Sequence, residues 1–123
     1  MSIVAQAVAG AFASLQAVSG EAVTYCAGSD EVSLVAVPGR SGFQQANDSG
    51  ITEIQSQDWL ILAAELKRND QPFLPRRGHL IKDQSGRYWK ALSDGNEPPF
   101  RFNDQFRIVL RVHTKLVEED GDV

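Results

Sequence analysis

The stretch "QFRIVLRVHTKLV", residues 105–117, decides the fold. Phe106, Ile108, Leu110, Val112 and Leu116 alternate in it with Arg107, Arg111, His113 and Lys115. Successive side chains of a strand point to opposite faces, so the segment reads as one β-strand, apolar toward a core and basic toward the outside. A row of positive charge on the longest expected strand sits oddly in a chain whose formal net charge is −4.

Working outward from that strand, the net charge resolves into blocks. Residues 1–60 hold one basic side chain, Arg40, against six acidic ones, for a balance of −5. Residues 61–117 hold eleven basic and six acidic side chains, for +5, and "EEDGDV" at 118–123 adds −4. Such asymmetry makes the chain electrostatically two-ended. Its 123 residues fit one domain. At this size folding buries roughly two-thirds of the unfolded surface, enough for a core without metals or cross-links. The single cysteine, Cys26, rules out a disulfide within the chain and suits a reducing compartment.

Before the strand region lies "SIVAQAVAGAFASLQAV", residues 2–18. No Lys or Arg precedes its apolar run, as a secretory leader would require, and it is too short and too polar to span a bilayer. Ile3, Val4, Ala7, Val8, Ala11, Phe12, Leu15 and Val18 recur at helical spacing, with small residues opposite. The segment therefore reads as an N-terminal helix over residues 1–20, lying across a sheet or against another subunit. Gly20 is expected to end it in the left-handed conformation.

Residues 21–117 read as one antiparallel β domain. Strands are expected at 22–26 and 31–37 around the turn "AGSD", with Pro38-Gly39 ending the second. Further strands are expected within 51–62, broken near Ser56, and at 78–83, 87–92 and 105–117, with a helical turn or loop after 62. Six to seven short strands punctuated by turns, plus one helix, make a mainly β fold: a small antiparallel barrel or sandwich. The acidic segment 118–123 lacks apolar anchors and is expected to be disordered.

Catalysis has little to stand on. The sequence contains no H-E-x-x-H, no paired C-x-x-C and no Gly-rich phosphate loop. A metal site would need Cys26, His79 and His113 from three separate strands, and a Cys–His–Asp set using Cys26 and Asp58 is equally unsupported by spacing. "NDS" at 47–49 is a chance glycosylation match. No enzyme activity, cofactor or metal is expected. Single-stranded nucleic-acid binding is the alternative, since Trp59, Tyr88, Trp89, Phe100 and Phe102 lie near Arg76, Arg77, Arg87, Lys90 and Arg101. Against it, Tyr88 and Trp89 point to opposite faces of one strand, and the pI of about 5.1 lacks a basic footprint. Protein assembly remains: a domain negative in one half and positive in the other suits head-to-tail contact.

Five segments in order, "LVAVPGRSGFQ", "SQDWLILAAEL", "LPRRGHLI", "GRYWKAL" and "EPPFRFNDQFRIVLRVHTK", carry a resemblance. Over residues 34–115 they resemble head–tail joining (tail-attachment) proteins of tailed phages and prophages. The shared pattern is V-P-G-R, an acidic-aromatic-L-I strand, P-x-x-G-[D/H]-x-I, a Tyr-containing strand, and E-P-x-aromatic-R before a strand with R-x-H. His79 stands where Asp is more usual. The resemblance implies a structural, cofactor-free protein with a small antiparallel barrel. It implies binding to the head connector and to tail proteins, and a ring, usually of six, at the head–tail junction after assembly in the host cytoplasm. No membrane and no specific nucleic-acid partner are implied. A neighbouring ring of the same assembly, a stopper or tail terminator, is a further alternative for this chain.

Within that reading the basic row Arg107, Arg111, His113 and Lys115 would meet an acidic protein surface, unless it is simply a solvated face. The segments 42–50 and 68–77 are expected to dock, with Trp59, Phe73, Arg76 and Arg77 as anchors. For Trp59 a core position is the competing expectation, because Gln57, Trp59 and Ile61 share one face of an apolar run.

Overall fold

Six strands close on one another in a computed structural model that describes residues 3–39, 56–92 and 98–117. Helix α1 (Ile3–Ser19) leads into β1 (Glu21–Ala27) and β2 (Asp30–Gly39). β3 (Ser56–Leu62) runs into a 3-10 turn (Ala63–Glu65) and a two-residue hairpin, β4 (Lys67–Arg68) and β5 (Gln71–Pro72). β6 (Leu80–Lys82), β7 (Tyr88–Ala91), β8 (Phe100–Phe102) and β9 (Val109–Val117) follow.

The strands pair in the order β3-β2-β1-β6-β7-β9, every described pair antiparallel, and β3 pairs β9 to shut the circle. β8 is an extra strand on the free half of the β9 edge. Following the register once round returns to β9 displaced by about ten residues, the stagger that lets a narrow sheet close with tilted strands. Side chains fill the interior. Trp59, Tyr25, Ile61, Leu66, Ile81, Leu110 and Val112 are fully buried, and Trp59 meets Trp89 edge to face at 6.1 Å. Each such apolar side chain contributes about 1.5–3 kcal/mol relative to exposure.

The expected architecture, a mainly β antiparallel barrel with an N-terminal helix, is the one observed. Its details differ in four places. The strand at 105–117 begins only at Val109, because the Asp104 carboxylate accepts the N–H groups of Phe106, Ile108 and Val109 and coils the preceding chain into a turn. Arg107 sits in that turn with φ 58°, off the strand. Pro38 and Gly39 are part of β2 and its last residues, in register opposite Trp59 and Asp58, so the strand runs two residues beyond the expected 31–37. β8 and the β4–β5 hairpin are additions, the latter turning on Asn69 and Asp70 at positive φ.

Gly20 ends α1 for a different reason from the expected one, since its φ is not among the positive values. A Cβ there would collide with the Gln16 carbonyl oxygen and a Val35 methyl, so glycine is needed for close approach of helix and strand. The helix itself is turned. Ala5 and Phe12 are its buried residues, and Phe12 packs with Val37, Leu60 and Val109 on the outer face of β2, β3 and β9. Most of the apolar stripe read from the sequence, including Ile3, Val4, Leu15 and Val18, faces away from the barrel. The segments 42–50 and 118–123 lie outside the described residues.

Candidate functional site

The outward face of β9 carries Arg111, His113 and Lys115, as alternation requires. Opposite them on β3 stands Asp58, 1% exposed. Its Oδ2 accepts from Arg111 Nη1 at 2.8 Å, and its Oδ1 lies 2.9 Å from His113 Nδ1. Burial alone would raise the Asp58 carboxyl; hydrogen bonds from His113 and Arg111, and their charge, outweigh it and hold the group below its usual range. Arg111 Nε also donates to Asn103 Oδ1 at 3.3 Å, and His113 N–H donates to the Pro99 carbonyl at 2.8 Å. Two members of the basic row therefore staple β9 to β3 and to the residues that flank β8.

The face they belong to is wider than the sequence suggested. Lys90 on β7 lies directly opposite Lys115, and Arg101 on β8 directly opposite Arg111. Lys82 on β6 sits 5.7 Å over the Tyr88 ring and extends the positive surface across four strands. Like charges placed directly across a ladder destabilise it. Asp58 pairs with Arg111 and His113 of the row. Lys90 and Arg101 are the residues sequence reasoning missed as partners of the row, because pairing across strands is invisible until the register is known.

The second candidate element, 68–77, is built over a ring cluster. Tyr25, Phe73 and His79 meet pairwise edge to face, with centroids 5.4–6.2 Å apart. His79 Nδ1 accepts from the buried Tyr25 hydroxyl at 2.8 Å and from the Arg76 N–H at 3.2 Å, which fixes the neutral ring with its proton on Nε2. Burial first, then the charges of Arg76 and Arg68, pull the His79 pKa down, while burial pushes the Tyr25 hydroxyl up. Arg68 covers Phe73 at 5.0 Å and pairs with Asp30 at 2.7 Å. Phe73 is thus half-buried with its ring packed between neighbours, whereas Arg76 and Arg77 are exposed. Trp59 cannot serve as a surface anchor. It is 1% exposed in the barrel interior, because β3 turns it inward together with Ile61.

The groups weighed for chemistry are scattered. His79 is tied to Tyr25, His113 to Asp58, and Cys26 is a half-buried thiol whose pKa is raised, by burial first and then by Glu31. No cluster of three metal-ligating side chains occurs among the described residues.

The fold is that of a small closed antiparallel barrel whose interior is filled by side chains. More narrowly, a model of the family described as phage head-tail joining protein matches residues 1–121, and the chain belongs to that family. Its role is structural and non-enzymatic: it joins head to tail in the phage virion, in contact with head and tail components. No curated protein and no solved structure matches the chain.

Proposed function

We propose that the outer face of β7, β9 and β8 is where this joining protein meets an acidic protein surface, on the neighbouring subunit or on the rim of the head connector. The observation that carries the reading is the pair of like-charged oppositions, Lys90 with Lys115 and Arg101 with Arg111. Carboxylates brought by a partner would complement this face and set the orientation of docking. Arg111 and His113 act from within the fold through Asp58, while Lys90, Arg101 and Lys115 carry the face outward. Arg107, stacked 5.6 Å over Phe102, stands at its border. Phe73, Arg76 and Arg77 form a second docking element. The copies form a ring of six at the junction, assembled in the host cytoplasm before the tail docks.

The test is charge reversal at Lys90→Glu with Arg101→Glu, which leaves the Asp58 staple intact. Tail-less heads supplied with the variant are expected to lose tail attachment at least about tenfold, with folding unchanged. Attachment equal to the parent protein would mean that the face is only solvated. A complex of the parent with short single-stranded DNA that dissolves as salt rises would instead assign the face to phosphates.

A further inference from the structure

We infer that the outward stripe of α1 and the Phe73–Arg77 loop are the two halves of a head-to-tail contact between copies of this chain. The inference rests on the ring reading above and assigns its subunit interface. Residues 3–19 contain no charged side chain. Ile3, Val4, Leu15 and Val18 are 84, 57, 41 and 86% exposed. At 100° per residue they share one side of the helix with Ala7 and Ala11, a strip that is apolar except for Ser14. A surface helix with such a strip is unusual for a protein that works alone.

Outside α1, two other large apolar side chains are exposed among the described residues, Val35 and Leu74. Val35 lies beside the helix, its carbonyl accepting from Gln16 Nε2 at 3.0 Å. Leu74 stands elsewhere, at the tip of a stiff loop. Pro72 and Pro75 restrict that loop, Phe73 N–H donates to the Leu66 carbonyl, and Arg76 N–H is held on His79. A preformed apolar tip costs little entropy to dock.

The charges match as well. Arg76 and Arg77 follow the tip directly. At the receiving end, the last turn of α1 has no basic residue, so its carbonyl end stays negative, and the Glu65 carboxylate stands 3.4 Å from Gln16 Nε2. An apolar tip with two arginines thus faces an apolar strip with a negative end.

Position supplies the direction. α1 lies over Leu60 on the outer face of the sheet, whereas Phe73 packs on the interior cluster beside Tyr25 and its N–H donates to the Leu66 carbonyl, where the chain has left β3. The strip and the tip are therefore different surfaces of the same subunit. Contact between two different surfaces is heterologous, and it propagates until rotation shuts a ring.

Sedimentation of the full chain at rising concentration tests this with Val18→Asp and Leu74→Asp, both at exposed positions where circular dichroism should stay unchanged. Each variant alone is expected to lose self-association about tenfold or more. Mixed, they are expected to form a one-to-one complex and nothing larger, because one brings an intact loop and the other an intact strip. The inference is overturned if L74D associates like the parent while V18D does not, which would mean helix-on-helix pairing. It is also overturned if both variants behave like the parent, or if the parent stays monomeric at the highest concentration. Complementation of tail-less heads reads the joining role separately, so losing this self-contact would leave that role standing.

Discussion

Asp58 and Asp83 are both buried carboxylates held below their usual range, yet they organise different scales of structure. Asp83 works locally: it accepts from Ser85 and Arg87 N–H groups, from Arg87 Nε and from Trp89 Nε1, all within six positions of itself. Asp58 reaches across 53 and 55 positions to Arg111 and His113. Asp83 shapes a hairpin whose turn residues already favour it. Asp58 fastens the seam at which the sheet becomes a barrel, and there local sequence offers no substitute.

Removing each carboxylate should expose that contrast. Asp58→Ala would leave Arg111 and His113 without their anion, and breaking a buried pair from one side costs about 3 kcal/mol or more. Because both partners retain some solvent contact, the lower end is expected. Urea unfolding should show the loss, and hydrogen exchange should rise in β3 and β9 together. Asp83→Ala would strand the Trp89 indole N–H and two turn amides, for about 1–3 kcal/mol, with exchange rising only in the β6–β7 hairpin. Equal and global losses would mean that the two sites do not differ in reach.

Acid sharpens the same comparison. For Asp83, burial raises the carboxyl, and donors led by Trp89 Nε1 and the Arg87 N–H more than reverse it. With both folded pKa values depressed, each carboxylate contributes stability that is complete above the ordinary carboxylate range, about pH 4, and is lost as pH falls through the folded values. Asp58→Asn should flatten the acid limb of a stability–pH curve. His79 gives a smaller effect of the same sign in another window. Its lowered pKa means the unfolded chain binds a proton first, so stability should decline as pH drops below about 6.5. His79→Gln should remove that slope; an unchanged slope would place its origin elsewhere.

Much of the barrel was legible because alternation and turn chemistry are local. Val112 inward and Arg111, His113 outward follow from period two alone. The beginning of β9 was not legible, since the apolar alternation continues through Phe106 and Ile108 while one side chain, Asp104, overrules it by capturing three amides. The helix face failed for a related reason. Its apolar residues cover more than one side, so periodicity could not say which side the sheet would take. The docking residues were half legible. Arginines between a proline and a glycine announce exposure, but Lys90 and Arg101 acquire meaning only from the strands they oppose. The D-W-L-I segment at 58–61 and the R-V-H segment at 111–113 are, in three dimensions, partners of each other through Asp58.

The seam has a consequence for how the protein is made. β3 pairs β9 from Ser56–Lys115 to Leu62–Val109, and β7 shares the same last strand. During synthesis, every strand through β7 leaves the ribosome before β9 exists, so two edges wait with unpaired backbone groups. Contacts so distant in sequence also form slowly once available. A nascent chain stalled before Val109 would therefore present open edges to its sister copies, and chaperone dependence should be concentrated in that interval.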